Sequence, residues 1–275
     1  MAIITISREM GSGGIPIAHK VAEKLGYTLI DGDALKENAI SHGLAPDAFE
    51  KADEKPPAFV EELDEKIEVD LHRIELAILE YALKGNVIVY GRGGQDLLQR
   101  LTSVFRVRII APFEDRVERW AEREWLDPDI ARVLVRKSDQ QRAGFIKYYF
   151  NRDWQDPLGY DLIINTQRLS EEMAVKLICD GVKDKNLTEQ KDNSKKVLKD
   201  LILLKATEIA ILSTPDLDAH HMGFQVDSGV ITLTGHVHSE EEHRQVMKIA
   251  GAIPDATDVV DQLKVVEYRN YPTEL

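Results

Sequence analysis

The chain has 275 residues, 43% of them hydrophobic, which is enough for about two buried cores and excludes wholesale disorder. Its 48 acidic against 35 basic residues give a net charge of −13, which opposes general binding to nucleic-acid phosphates while leaving room for a local basic pocket. A single cysteine, Cys179, excludes an intrachain disulfide and a cysteine-built zinc site, and no apolar run reaches the roughly 18 residues that span a bilayer.

The first apolar run, Ala2–Ile6, is short and has no basic segment before it, so the expectation is a cytoplasmic protein without a removable targeting peptide. Short runs rich in Val and Ile follow one another as strands: Ile3–Ser7, Tyr27–Ile30, Val87–Tyr90, Phe105–Ala111 and Tyr160–Asn165. They show little polar alternation, as strands buried on both faces do. Amphipathic stretches lie between them at Ile17–Leu25, Val60–Leu83, Phe113–Glu124 and Glu171–Asp180. Alternation of this kind predicts an α/β unit over 1–182 with a parallel sheet and helices on both faces.

Residues 183–199 are almost wholly polar and read as a linker, the alternative being an extended helix end. Beyond them Val197–Leu212 reads as helix, Gly223–Val226 and Val230–Thr234 as strands, Glu240–Ala250 as helix and Val259–Val266 as a last strand. Asp227-Ser228-Gly229 is a hairpin signal. The order is αββαβ, a small α+β unit over 200–268, and residues 200–275 carry a net −8.

The sharpest local pattern is a strand running into Ser7-Arg8-Glu9-Met10-Gly11-Ser12-Gly13-Gly14 and then a helix with Pro16 in its first turn. Glycines let backbone N–H groups converge, and with the positive end of a helix they make an anion site. The phosphate-loop pattern G-x-x-x-x-G-K-[ST] is not met. Gly14 stands at the lysine position, Ile15 at the hydroxyl position and Arg8 at the first glycine. Arg8 and Lys20 are the candidates for the missing positive charge, and a tight ligand-free turn is the plain alternative.

Further segments come in order: Gly26–Asp33, ending in Asp31-Gly32-Asp33; Val87–Gly94, ending in Gly91-Arg92-Gly93-Gly94; Asp139–Arg142, followed by Tyr148, Tyr149, Arg152 and Trp154; and Tyr160–Thr166. Together they resemble the cytidylate kinase-like family of nucleoside monophosphate kinases over roughly residues 1–180. That resemblance implies a five-stranded parallel sheet, transfer of the ATP γ-phosphoryl group to CMP or a related monophosphate, and Mg²⁺. It places Gly11, Ser12, Gly13 and Gly14 on donor phosphates, Arg92 on the acceptor phosphate, Arg142 and Arg152 in a closing lid, and Asp33 beside the acceptor pocket. A carboxylate that follows the Gly-Arg pair in standard members is Gly93 here. Trp120 and Trp125 read as packing residues.

Val226–Val237 with Val259–Val266 resembles a BON domain, a non-catalytic module associated with phospholipid or small-ligand binding. The acidic charge of this block argues against anionic membranes and for a soluble ligand or self-association. Its histidines His220, His221, His236, His238 and His243 read as solvated turn residues rather than a metal site. Three functions follow: a nucleoside monophosphate kinase, a nucleotide-binding regulator without turnover, and a ligand-sensing or scaffolding module.

Overall fold

A computed structural model describes residues 2–45, 48–51, 54, 65–188, 191–215 and 217–266. Five parallel strands form the larger sheet: β1 (Ile3–Arg8), β2 (Thr28–Ile30), β3 (Val87–Tyr90), β4 (Val104–Ile110) and β5 (Leu162–Asn165), in the order β2-β3-β1-β4-β5. The central strands are apolar because both faces are covered. Ile3, Val87 and Val89 enter one hydrophobic cluster, while Ile4, Ile6, Ile88 and Tyr90 enter the other.

The second cluster is closed by helix α1 (Gly14–Leu25) and, late in the chain, by the helix Glu171–Gly181, through Ile17, Val21, Ala174, Val175 and Ile178. The first cluster is closed by α2 (Gly32–Ser41), the short α3 (Ala48–Lys51), α4 (Glu65–Lys84) and the short α5 (Gly94–Leu97). Helices α6 (Phe113–Glu124) and α7 (Pro128–Phe150) form a hairpin with its own cluster of Val117, Ala121, Ala131 and Val135. Asp127 caps α7 by accepting the Asp129 N–H, and Pro128 takes the first turn, where its missing N–H costs nothing. The helix Glu171–Gly181, here α8, starts at the Ser170 cap.

The polar run 183–199, read as a linker with an extended helix end as the alternative, carries helix. Helix α9 covers Lys185–Thr188 and α10 covers Lys191–Leu212. The reason is a narrow apolar stripe. Leu198 and Leu201 join the first cluster of the larger sheet, and Leu203 and Ile211 of the same helix join the core of the C-terminal block. The buried Ser194 hydroxyl meets the Ser103 hydroxyl at 2.7 Å.

The C-terminal block has strands β6 (Met222–Asp227), β7 (Val230–Val237) and β8 (Asp258–Val265) with helix α11 (Glu240–Gly251) crossing between β7 and β8. β6 and β7 are antiparallel, and β7 and β8 are parallel. Ser228 and Gly229 turn the hairpin with φ of 55° and 80°, as a two-residue turn requires. Their N–H groups donate to the Asp200 carboxylate on α10. β7 runs through Gly235 to Val237 and does not stop at Thr234, because Gly235 takes φ 98° while still opposite Met222. Trp120 packs as expected, whereas Trp125 ends α6 in left-handed backbone and is 94% exposed. Among the described residues no helix is long and apolar enough to cross a membrane.

Candidate active site

The glycine turn follows β1 at the carboxyl end of the sheet, where open α/β sheets bind ligands. Gly11 and Gly13 have φ of 80° and 83°, and Gly13 caps α1. A Cβ at Gly11 would lie 2.5 Å from the Arg116 carbonyl oxygen, so that position admits only glycine. A Cβ at Gly13 would meet nothing within 4 Å, so the crown of the turn is open.

The turn is braced from below. The Met10 N–H donates to Asp139 at 3.0 Å and the Met10 carbonyl accepts from Arg116 at 3.0 Å. Arg116 closes the loop by pairing with Asp139 at 2.6 Å. The Glu9 carboxylate accepts the Ala111 N–H, and the Ser12 carbonyl accepts the Thr166 hydroxyl at 2.8 Å. Asp139 therefore ties α7 to the turn, a role no spacing in the sequence announces. Beside it a cleft of about 260 Å³ is lined by Phe113, Arg136, Asp139, Gln140, Ala143 and Gln155.

Arg8 leaves the end of β1 and runs between the turn and the Gly91–Gly94 turn. Its guanidinium carbon stands 4.4 Å over the Tyr90 ring. A Cβ at Gly14 would lie 3.0 Å from both the Arg8 Cβ and the Tyr90 hydroxyl, and one at Gly91 would clash with the Arg8 Nη1. The two glycines thus make the channel for this side chain. Its Nη1 donates to both oxygens of Glu54, at 2.8 and 3.1 Å. Arg142, from α7, donates through Nε to the same carboxylate at 3.0 Å, and the backbone N–H of Arg92 donates to it as well. Burial opposes the Glu54 charge, but Arg8, Arg142 and Arg92 outweigh it and hold the carboxyl at about 2. Burial also opposes the Arg8 charge, and Glu54 more than restores it. Arg142 is lowered, by burial first and then by Arg8. Ser7, Gly93, Phe145 and Trp154 close this centre to about 10 Å³, room for at most one water.

Of the remaining expected residues, only Arg92 reaches that centre, through its backbone N–H. Arg92 has left-handed backbone and lays its guanidinium 4.3 Å over the Phe49 ring. Arg152 lies past the end of α7, not in it, and pairs with the buried Asp96 at 3.2 Å. Burial raises the Asp96 carboxyl, against the opposing pull of Arg152. Asp33 is an exposed first-turn residue of α2, and its neighbour Asp31 is the cap, accepting the Ala34 N–H. Lys20 is half exposed on α1 and pairs with Glu171 at 2.6 Å on the outer face, so it does not supply the missing charge. The residues that sequence reasoning missed are Glu54, Tyr90, Asp96 and Asp139. In the C-terminal block His221, His236 and His238 are not isolated turn residues. His221 and His236 stack with ring centroids 4.5 Å apart, and His238 stands edge-on to both.

An open glycine cradle at a helix start fits a phosphate chain. The residues fit Mg²⁺ poorly. Ile15 replaces the ligating hydroxyl and the Ser12 hydroxyl is bonded to the Glu9 carbonyl. Among the described residues no group of three His, Cys, Asp or Glu could hold a metal ion.

The model of the cytidylate kinase-like family matches residues 3–168, more than half of the sequence. The chain belongs to that family. The model of the BON domain matches residues 205–267. Cytidylate kinase from Archaeoglobus fulgidus is 33% identical over 186 residues, covering 67% of this chain and 96% of that protein. Cytidylate kinase from Natronomonas pharaonis is 31% identical over 171 residues, covering 62% and 83%. The crystal structure of an uncharacterized protein from Eubacterium ventriosum ATCC 27560 superposes with a TM-score of 0.54 at 22% identity, covering 67% of this chain and all of that one, and shares the fold. This cytidylate kinase-like chain thus keeps the family's core and departs from the usual loop at Gly14 and Ile15.

Proposed function

We propose that this protein transfers a phosphoryl group from ATP to a nucleoside monophosphate, with CMP or dCMP the first acceptors to test. The observation that carries this reading is the convergence of Arg8, Arg142 and the Arg92 N–H between the glycine turn and the Gly91–Gly94 turn, in a member of the cytidylate kinase-like family. Phosphoryl transfer asks a protein mainly for positioning and positive charge. The amides of Gly11–Gly14 hold donor phosphates, and the two arginines hold acceptor oxygens. Bound ATP supplies the γ-phosphoryl group. Arg92 steers the acceptor from its seat on Phe49, and Arg152 aligns the edge through Asp96. In this reading Arg8 replaces the loop lysine, residues 1–182 are the catalytic unit and 200–268 an appended binding unit.

Release of ADP measured across CMP, dCMP, UMP and AMP tests the proposal. Turnover is expected on the cytidine acceptors, and Arg142→Ala should lower kcat/KM by about ten- to a hundredfold, the loss of a charged hydrogen bond worth ~1.5–3 kcal/mol. A folded protein with no turnover on any acceptor refutes it. Gly14 and Ile15 favour a second reading, a nucleotide-binding regulator without turnover, and calorimetric binding of ATP and CMP without ADP release would establish it.

A further inference from the structure

Glu54 is the unexpected occupant of the arginine centre. Its carboxylate is one-tenth exposed and takes hydrogen bonds from Arg8, Arg142 and the Arg92 backbone. Those donors come from the end of β1, from α7 and from the turn after β3. Glu54 itself belongs to no helix or strand.

The centre is built for more than a carboxylate. Arg8 and Arg142 both face the Glu54 carboxylate, and the second carboxylate near Arg142, Asp139, is already paired with Arg116 at 2.6 Å. Arg142 Nη1 is buried without a hydrogen-bond partner, and the Asp139 oxygen nearest it is 3.8 Å away. A carboxylate offers two oxygens in a plane and one negative charge. A phosphate monoester offers three terminal oxygens in a tripod and two charges, and so matches both the surplus donor and the surplus charge.

We propose that Glu54 is a resident stand-in for the acceptor's phosphate, filling the anion site of Arg8, Arg142 and the Arg92 N–H until a phosphate monoester dianion displaces it. This rests on the kinase reading for the substrate class, but the anion site is tested by binding alone. Occupancy is a competition between an internal carboxylate and an external phosphate. Apparent affinity is then the intrinsic affinity reduced by the fraction of molecules with Glu54 withdrawn.

The test uses the full chain with CMP and inorganic phosphate as probes. Calorimetry on Glu54→Gln and Glu54→Ala should show both ligands binding about tenfold tighter or more than to the native chain, the effect of removing a competitor that holds the site nine-tenths of the time. Phosphate should also raise the melting temperature of Glu54→Ala more than that of the native chain, while chloride at equal ionic strength should not. A measurement on the native chain covers the case in which the variants fold poorly. Saturating CMP should speed cleavage of the Glu54–Lys55 bond by a glutamate-specific protease, read by mass spectrometry. Binding that is unchanged, weaker or absent in the variants, or a cleavage rate unmoved by CMP, overturns the proposal. Turnover on CMP with unimproved binding sinks the stand-in and spares the kinase reading. Tighter binding without turnover does the reverse.

Discussion

The contact between α4 and α10 offers the most quantitative test of how the two blocks are joined. Lys205 is only 13% exposed, and its ammonium lies 2.8 Å from Glu75, 2.8 Å from Glu208 and 3.0 Å from His72 Nδ1. Burial pushes the Glu75 carboxyl up, but Lys205 and then His72 overcome it and bring it from 4.5 to about 2. Glu75 and Glu208 raise the Lys205 ammonium, against its own burial. A carboxyl with a depressed folded pKa stabilises above its unfolded pKa and loses that contribution as pH falls through the folded one. For Glu75 the window is pH 4.5 down to about 2, and at ~1.4 kcal/mol per unit the contribution is about 3 kcal/mol. Lys205→Met removes the cation and leaves two buried carboxylates facing each other. Breaking one partner of such a group costs ~3–5 kcal/mol, a fall of roughly 6–20 °C in melting temperature at neutral pH. The variant also reverses the pH response. Glu75, without its cation, sits above its ordinary pKa, so the deficit should shrink as pH is lowered from 7 to 5. Calorimetric melting of both proteins across that range reads the effect, and Glu75→Gln added to Lys205→Met should recover most of it. A melting temperature within about 1 °C of the native chain, or a deficit independent of pH, would refute the reasoning.

Two further outcomes follow from the glycine turn. Gly11→Ala places a Cβ against the Arg116 carbonyl at φ 80°, whereas Gly13→Ala meets only the conformational cost at φ 83°. Urea unfolding should show a loss of at least ~2 kcal/mol for the first and ~1 kcal/mol for the second, and equal losses would mean the Arg116 contact does not define the turn. Thr166→Val removes the hydroxyl that donates to the Ser12 carbonyl and accepts from Arg119 at 3.0 Å. It should cost ~1 kcal/mol and weaken ATP binding more than CMP binding, and an equal effect on both nucleotides would detach Thr166 from the donor side.

The sheet was legible because burial on both faces leaves a mark within each strand. Ile3–Ile6, interrupted only by the buried Thr5, and Val87–Val89 are apolar runs, and the structure divides them between two clusters by simple alternation. The hairpin was legible because Ser228-Gly229 is turn chemistry confined to neighbouring residues. Helix α2 was not, since only Leu35 and Ala39 of its residues are buried and the pattern is too sparse to read. The polar run before Val197 misled for a related reason. Leu198 and Leu201 are buried apolar positions in a stretch that is mostly exposed or half-buried, and their value depends on α4, more than a hundred residues earlier. Arg8 and Arg142 could be nominated from the segments around them. Glu54 could not, because it stands 46 residues from Arg8 and 88 from Arg142 and belongs to no motif.

These features meet in one hydrophobic cluster. Phe49, which carries Arg92, belongs to the same cluster as Ile74 of α4, Phe145 of α7, Trp154 and the α10 residues Leu198 and Leu201. Trp154 donates to the Ser7 hydroxyl beside Arg8 at 2.9 Å. The helix that begins the C-terminal block is therefore one wall of the core that holds the arginine centre in shape. The same helix holds the β6–β7 turn through Asp200 and meets α4 through the ion cluster around Lys205, so one helix fixes both the C-terminal block and this wall of the core.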